Sequence, residues 1–294
     1  AINQLGAQSD QDAIDQLYLQ AAVGFMRYRW LLTYLFGATP FAFDNYFSEK
    51  TDAPAGPVRS LRNSHFGFGN GFLASYRSVS EYVRDIEDAV THHDIIAERE
   101  YYGTVRLKRS ADLEDLLSNG ILYVELRIYD LDPFEPLGIS EDAVNIVRLM
   151  FAYFTANQPF DLTSADDAIV AAHQMNDAVS LEDPRTVTQF HDEAIQFVET
   201  LKEFCRGIAL PFDSQALALR MIERIDNPQL TPSARLTAWA QSKPQTAFNQ
   251  LLSLAQGYQN DLLNRPLYGF ENRSYDEQQR ALNELKMGHQ LNLQ

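Results

Sequence analysis

Two segments, residues 100–108 and 122–129, alternate chemical and apolar side chains with a period of two, in a chain whose other patterned stretches are helical. That alternation limits the fold more than any other feature, because a two-residue period puts successive side chains on opposite faces of a strand. In the first segment Tyr102, Thr104, Arg106 and Lys108 share one face, and Tyr101, Val105 and Leu107 share the other. In the second, Leu122, Val124, Leu126 and Ile128 oppose Tyr123, Glu125, Arg127 and Tyr129. Each strand therefore joins a core-seeking side to an equipped one. Asn119-Gly120 gives a turn signal before the second strand, after a short helix over 110–118.

The rest of the pattern is helical. Ile14, Leu17, Tyr18, Ala21, Phe25, Tyr28 and Leu32 mark one helical face, stopped by Gly37 and Pro40, so a long helix is expected over about 11–36. Ser78 with Glu81 three residues later reads as a capping box for a second helix whose stripe is Val79, Tyr82, Val83, Ile86 and Val90. Past Ser140 the stretches near 140–156, 164–179, 186–207, 213–226, 231–241, 244–262 and 274–288 are helix-compatible and the strand signal ends. The expected class is α+β, a small sheet in a predominantly helical surround. We expect one catalytic-type domain over 1–294, with a mixed part at 1–139 carrying the site residues and a helical part at 140–294.

Lys and Arg number 24 against 40 Asp and Glu, a net charge of −16, which disfavours a broad nucleic-acid or anionic-lipid surface. No run approaches the roughly 18 apolar residues of a spanning helix, so the chain reads as cytoplasmic with no membrane partner. One cysteine, Cys205, excludes an internal disulfide and a thiolate cluster, and reads as a packed bystander. Gly67, Gly69 and Gly71 lack a preceding strand and a Lys-Ser/Thr ending, so they read as turn glycines. His92-His93 has no third ligand at metal-site spacing.

Glu125 and Arg127 leave one strand face about 6.5 to 7 Å apart. A carboxylate can hold a divalent cation and an arginine fork can bind a phosphoryl oxygen. Equally, E-x-R can be a solvated strand face, and Lys and Arg on a strand can protect an edge. If the two strands pair, a tyrosine, two arginines, a lysine and a glutamate can converge on one cavity. Arg62, in an Asn/Ser-rich loop, suits either a substrate carboxylate or loop carbonyls.

Three runs carry a family resemblance in the right order and spacing. They are Arg59-Ser60-Leu61-Arg62-Asn63-Ser64-His65-Phe66-Gly67-Phe68, Glu100-Tyr101-Tyr102-Gly103-Thr104-Val105-Arg106-Leu107-Lys108, and Tyr123-Val124-Glu125-Leu126-Arg127-Ile128-Tyr129-Asp130-Leu131-Asp132-Pro133-Phe134-Glu135-Pro136-Leu137-Gly138. Together with Tyr34-Leu35-Phe36-Gly37-Ala38-Thr39-Pro40 and Asn227-Pro228-Gln229-Leu230-Thr231-Pro232-Ser233-Ala234-Arg235, they resemble bacterial glutamate–cysteine ligase from about residue 10 to at least 240.

The resemblance implies a glutamine-synthetase-like ligase fold with an antiparallel sheet. It also implies ATP-dependent ligation of the glutamate γ-carboxylate to the cysteine amine through a γ-glutamyl phosphate, the first step of glutathione synthesis, with ATP and Mg2+. Carried over, Glu125 is a magnesium ligand, Arg127 the catalytic phosphoryl clamp, Arg62 and Tyr102 the holders of the cysteine carboxylate, and Arg106 and Lys108 basic residues near the nucleotide. Phe68 stands where the family commonly has a tyrosine, so a hydroxyl at the cysteine subsite is missing. The family's acidic N-terminal strands have no counterpart before Ala1. The expectation is therefore a C-terminal portion of such a ligase, partnered by the missing segment or by a fused glutathione synthetase module. Two alternatives stand beside it: a non-catalytic fragment or subunit, and a related carboxylate–amine ligase with another amine acceptor.

Overall fold

One helix organises the structure. In the computed structural model, which describes residues 9–43, 46–47, 53–67, 72–110, 112–242, 246–265 and 271–287, helix α1 spans Asp10–Phe36. The Ser9 hydroxyl accepts from Asp12 N at 3.1 Å to start it, and Gly37 N donates to Thr33 O at the end. The expected apolar face of α1 proves too narrow a description. From Leu19 to Phe36 only Arg27 and Tyr28 escape full burial, as in a helix with neighbours on every side.

Those neighbours are α4 (Glu141–Asn157), α5 (Ala165–Ser180), α7 (Ser214–Asp226), α8 (Pro232–Gln241) and the sheet. Helix α6 (His191–Phe204) packs on α4 and α7. An aromatic cluster fills the seam of α1, α4 and α6, where Phe154 meets Phe25 edge-on at 5.6 Å and Phe197 stacks on Tyr28. Gly24 allows this close approach, since a Cβ there would run into the Phe154 ring.

The sheet has two antiparallel strands, β1 (Val105–Lys108) and β2 (Tyr123–Leu126), joined through α3 (Leu113–Asn119). Val105 pairs with Leu126, Arg106 with Glu125, Leu107 with Val124 and Lys108 with Tyr123. The ladder reaches one step further at one end, where Arg127 N donates to Thr104 O, and at the other Leu122 N turns back onto Lys108 O, one residue out of register. Both strands are shorter than the alternation suggests. Residues 98–100 form a 3-10 turn, and the chain enters β1 only at Val105.

Helix α2 (Val79–Thr91) is capped by Ser78, but the expected capping box is half made. Glu81 turns its carboxylate to Ser75 and Arg77 instead of back to the cap. The chain divides into two compact units, 1–243 and 244–294. The second holds α9 (Ala247–Asn264) and α10 (Tyr275–Lys286), the latter opened by a full capping box of Ser274 and Glu277. Among the described residues no helix is long and apolar enough to cross a membrane.

Candidate functional site

The register of the sheet decides what its equipped face can gather. Because Arg106 faces Glu125 and Thr104 faces Arg127 across the ladder, the chemical sides of both strands lie on one face. Glu125 Oε1 accepts from Arg127 Nε at 2.9 Å, and its Oε2 lies 3.7 Å from Arg106 Nη1. At one end of this face a cavity of 680 Å³ opens, lined by Arg29, Arg62, Asn63, Tyr102, Thr104 and Arg127. Tyr102 is exposed, with the Arg127 guanidinium 5.6 Å from its ring centroid.

Arg62 and Asn63 reach the cavity from a loop with several tethers. Arg59 N and Ser60 N both donate to Ser180 O at the end of α5. Arg59 itself is fully buried, paired with Glu182 at 3.0 Å over the Tyr34 ring, and serves as a lock for the loop. Beyond it, Arg62 Nη2 donates to Arg127 O at 3.0 Å, so the loop arginine grips the backbone of the strand arginine.

Asp130 is the buried acid that joins these parts. Its Oδ2 accepts from Ala38 N at 2.7 Å and Thr39 Oγ1 at 2.8 Å, and its Oδ1 accepts from Asn63 Nδ2 at 3.2 Å. Arg62 Nη1 lies 3.7 Å away. The end of α1, the arginine loop and the exit of β2 therefore share one carboxylate, which offsets part of the positive charge beneath the cavity. The rest of this run is turn-building: Asp132 caps Phe134 N, and Gly138 takes φ +75°, a conformation that glycine adopts without a Cβ clash.

Of the residues expected at a site, Arg62, Tyr102 and Arg127 meet in the cavity. Glu125, Arg106 and Lys108 do not line it, and the reason is geometric. At about 3.4 Å per residue, Lys108 stands roughly 14 Å along the strand from Thr104. Arg106 is buried beside Tyr82, whose hydroxyl pKa is raised by burial, next by Tyr101, and drawn back by Arg106. Lys108 has its pKa lowered, first by burial and then by Arg106. Phe68 lies outside the described residues, as do Gly69 and Gly71. Tyr129, expected on the equipped face, packs edge-on against Phe36 and donates to Ala143 O.

Arg29, Asn63 and Asp130 belong to this region without being marked by the sequence pattern. Arg29 follows the exposed Arg27 by two residues in α1, so its spacing does not mark it as buried, a setting where charge is rarely placed without a partner. Asn63 and Asp130 lie within the runs 59–68 and 123–138, where neither spacing nor residue type sets them apart. His92 Nδ1 donates to Asp88 O, within its own helix end, and among the described residues no three His, Cys, Asp or Glu side chains gather as a metal site.

The comparisons with known proteins agree with one another. A family model described as glutamate-cysteine ligase matches residues 1–96 and 92–176. The glutathione biosynthesis bifunctional protein GshAB of Streptococcus agalactiae is 36% identical over 250 residues, 83% of this chain and 32% of that protein. Its namesake in Streptococcus thermophilus is 30% identical over 292 residues, 98% of this chain and 38% of the relative. The chain thus spans about a third of the length of these relatives. A bifunctional glutathione synthetase from Pasteurella multocida superposes with TM-score 0.76 at 28% identity, over 90% of this chain and 34% of its own. A glutamate–cysteine ligase from Francisella tularensis, solved in complex with AMP, gives TM-score 0.77 at 21% identity over 95% of this chain and 66% of its own, a likeness of fold.

Proposed function

Because the chain belongs to the glutamate–cysteine ligase family, we propose that its cavity serves the ATP-dependent joining of the glutamate γ-carboxylate to the cysteine amine, the first step of glutathione biosynthesis. The observation that carries this reading is the meeting of Arg62, Tyr102 and Arg127, from three separate chain segments, around one cavity. In this reaction the γ-carboxylate attacks the terminal phosphorus of ATP and expels ADP, and the amine then displaces phosphate from the γ-glutamyl phosphate. Anionic groups must approach one another, so guanidiniums placed beforehand lower the cost of both steps.

Each residue has a part in the proposal. Arg127 takes an oxygen of the moving phosphoryl group, its guanidinium steadied by Glu125 and the Tyr102 ring. Arg62 and Tyr102 hold the cysteine carboxylate. Arg106 and Lys108, further along the face, serve the nucleotide end. Magnesium takes one or two carboxylates and fills its remaining positions with phosphate and water oxygens. Glu125 suits one such position, where the ion would neutralise phosphate charge. The bifunctional relatives support a fused glutathione synthetase module, and the neighbour solved with AMP supports a nucleotide. We place the reaction in the cytoplasm, on a glutamine-synthetase-like fold. The mixed part at 1–139 carries the site, and the helical part at 140–294 includes the helices that buttress it.

The test uses the full-length protein with ATP, magnesium, glutamate and cysteine, following ADP release together with γ-glutamylcysteine by mass spectrometry. Equal amounts of ADP and dipeptide are expected. ADP without dipeptide, or neither product from folded protein, would overturn the proposal.

A further inference from the structure

Arg29 is a charged side chain set where charge is costly. It is only 8% exposed, on α1, beside the core residues Phe25, Met26 and Trp30. Its Nη2 donates to Asn63 O at 3.0 Å and to Asn63 Oδ1 at 3.3 Å. Its Nε has no hydrogen-bond partner among the described residues, and none of their carboxylates forms an ion pair with it. Asp130 and Asp177 influence it only through space, and both are already engaged, Asp130 by Ala38, Thr39 and Asn63 and Asp177 by His65.

Holding the loop accounts for one edge of this guanidinium and leaves the rest unexplained. Asn63 O already accepts from Asn176 Nδ2 at 2.8 Å, so a neutral amide does the same work without burying a charge. Arg29 also lines the cavity, together with Arg62 and Arg127, and among the described residues no acidic side chain is in the lining. A cavity with three guanidiniums and no carboxylate is built for an anion.

We infer that Arg29 binds the carboxylate of the amine acceptor together with Arg62, as a third substrate arginine of the cavity. This rests on the ligation reading above. The acceptor side is favoured over the phosphoryl side because Arg29 shares Asn63 with the Arg62 loop, whereas Arg127 is turned toward Glu125. Burial first, and then Arg62, push the Arg29 pKa down to about 10. It stays charged at neutral pH, and an anion shared between Arg29 and Arg62 relieves their repulsion.

The test compares L-cysteine with cysteamine, the same thiol and amine without the carboxylate, as acceptors for the full-length protein and its Arg29→Met and Arg29→Lys variants. Arg29→Met is expected to lower kcat/KM for cysteine roughly ten- to hundredfold, mostly through KM, the scale of a hydrogen bond to a charged group. Cysteamine should change by less than about twofold on the same reasoning. Arg29→Lys keeps the charge without the fork, so part of the preference for cysteine should return. It carries the comparison alone if Arg29→Met does not fold. Equal losses on both acceptors would mean that Arg29 only holds the loop, and would overturn the inference. If the wild-type protein turned over neither amine, the ligation reading would fail separately. Calorimetric binding of L-cysteine would then decide Arg29, with weaker binding in the variant supporting its role and equal binding overturning it.

Discussion

Glu125 sits between two guanidiniums, so its charge sets how Arg127 and Arg106 are aimed as well as what it could bind itself. Glu125→Gln and Arg127→Ala in the full-length protein are each expected to lower kcat by about a hundredfold or more, the weight of one preorganised charge at a reacting phosphoryl group. Circular dichroism should be unchanged, and near-wild-type turnover would remove either residue from the chemistry. Arg62→Ala and Tyr102→Phe should instead raise the KM for cysteine, by roughly tenfold for the arginine, with the KM for glutamate unaffected. Steady-state kinetics with each substrate varied in turn would show it. At this scale the strand residues were legible because a two-residue period fixes which side chains share a face. Arg29 was not, because beside the exposed Arg27 it reads as one more polar position of the helix, and a helical pattern carries no information about what surrounds the helix. Asp130 was hidden in another way: its partners Ala38, Thr39 and Asn63 are 92, 91 and 67 residues away in sequence.

Among the elements, helices were easier to read than strands. The expected long helix over about 11–36 is α1 at Asp10–Phe36, and the later stretches fall close to α4 through α10. Apolar spacing and caps are local properties, so they survive in the sequence. Strand length depends on what the partner offers, and residues 100–103 fall outside the ladder, behind a 3-10 turn and with a bend at Thr104 just before β1 begins. The half-made box at Ser78 has a similar cause, since Ser75 and Arg77 outbid the cap for the Glu81 carboxylate. Packing between elements gives a sharper test. Gly24→Ala should destabilise the protein by about 1–3 kcal/mol, because the added methyl meets the Phe154 ring within a filled aromatic cluster. Thermal or denaturant unfolding would register the loss, and an unchanged midpoint would mean that α1 and α4 can move apart without cost.

In the molecule as a whole, charge is distributed unevenly, and two consequences can be measured. His191 at the start of α6 contacts Asp192 and also Asp226 at the end of α7, and both carboxylates raise its pKa, Asp192 most. A raised folded-state pKa means that the protonated ring stabilises the fold. This contribution is complete below the unfolded value of about 6.5 and fades as pH climbs through the folded one. The melting temperature of the wild-type protein should therefore fall across that window more than that of His191→Gln, and parallel pH profiles would exclude the contribution. The second consequence concerns the cavity. A chain of net charge −16 repels anions at long range, yet it gathers Arg29, Arg62 and Arg127 around one 680 Å³ space. Such a space discriminates by valence and shape, so the choice of buffer becomes a kinetic variable. At equal ionic strength, sulfate should inhibit competitively where chloride does not, because a tetrahedral dianion can engage guanidinium forks that a monatomic ion cannot span. Initial rates in matched sulfate and chloride would reveal the difference, and identical rates would mean that the three arginines are not jointly open to a small anion.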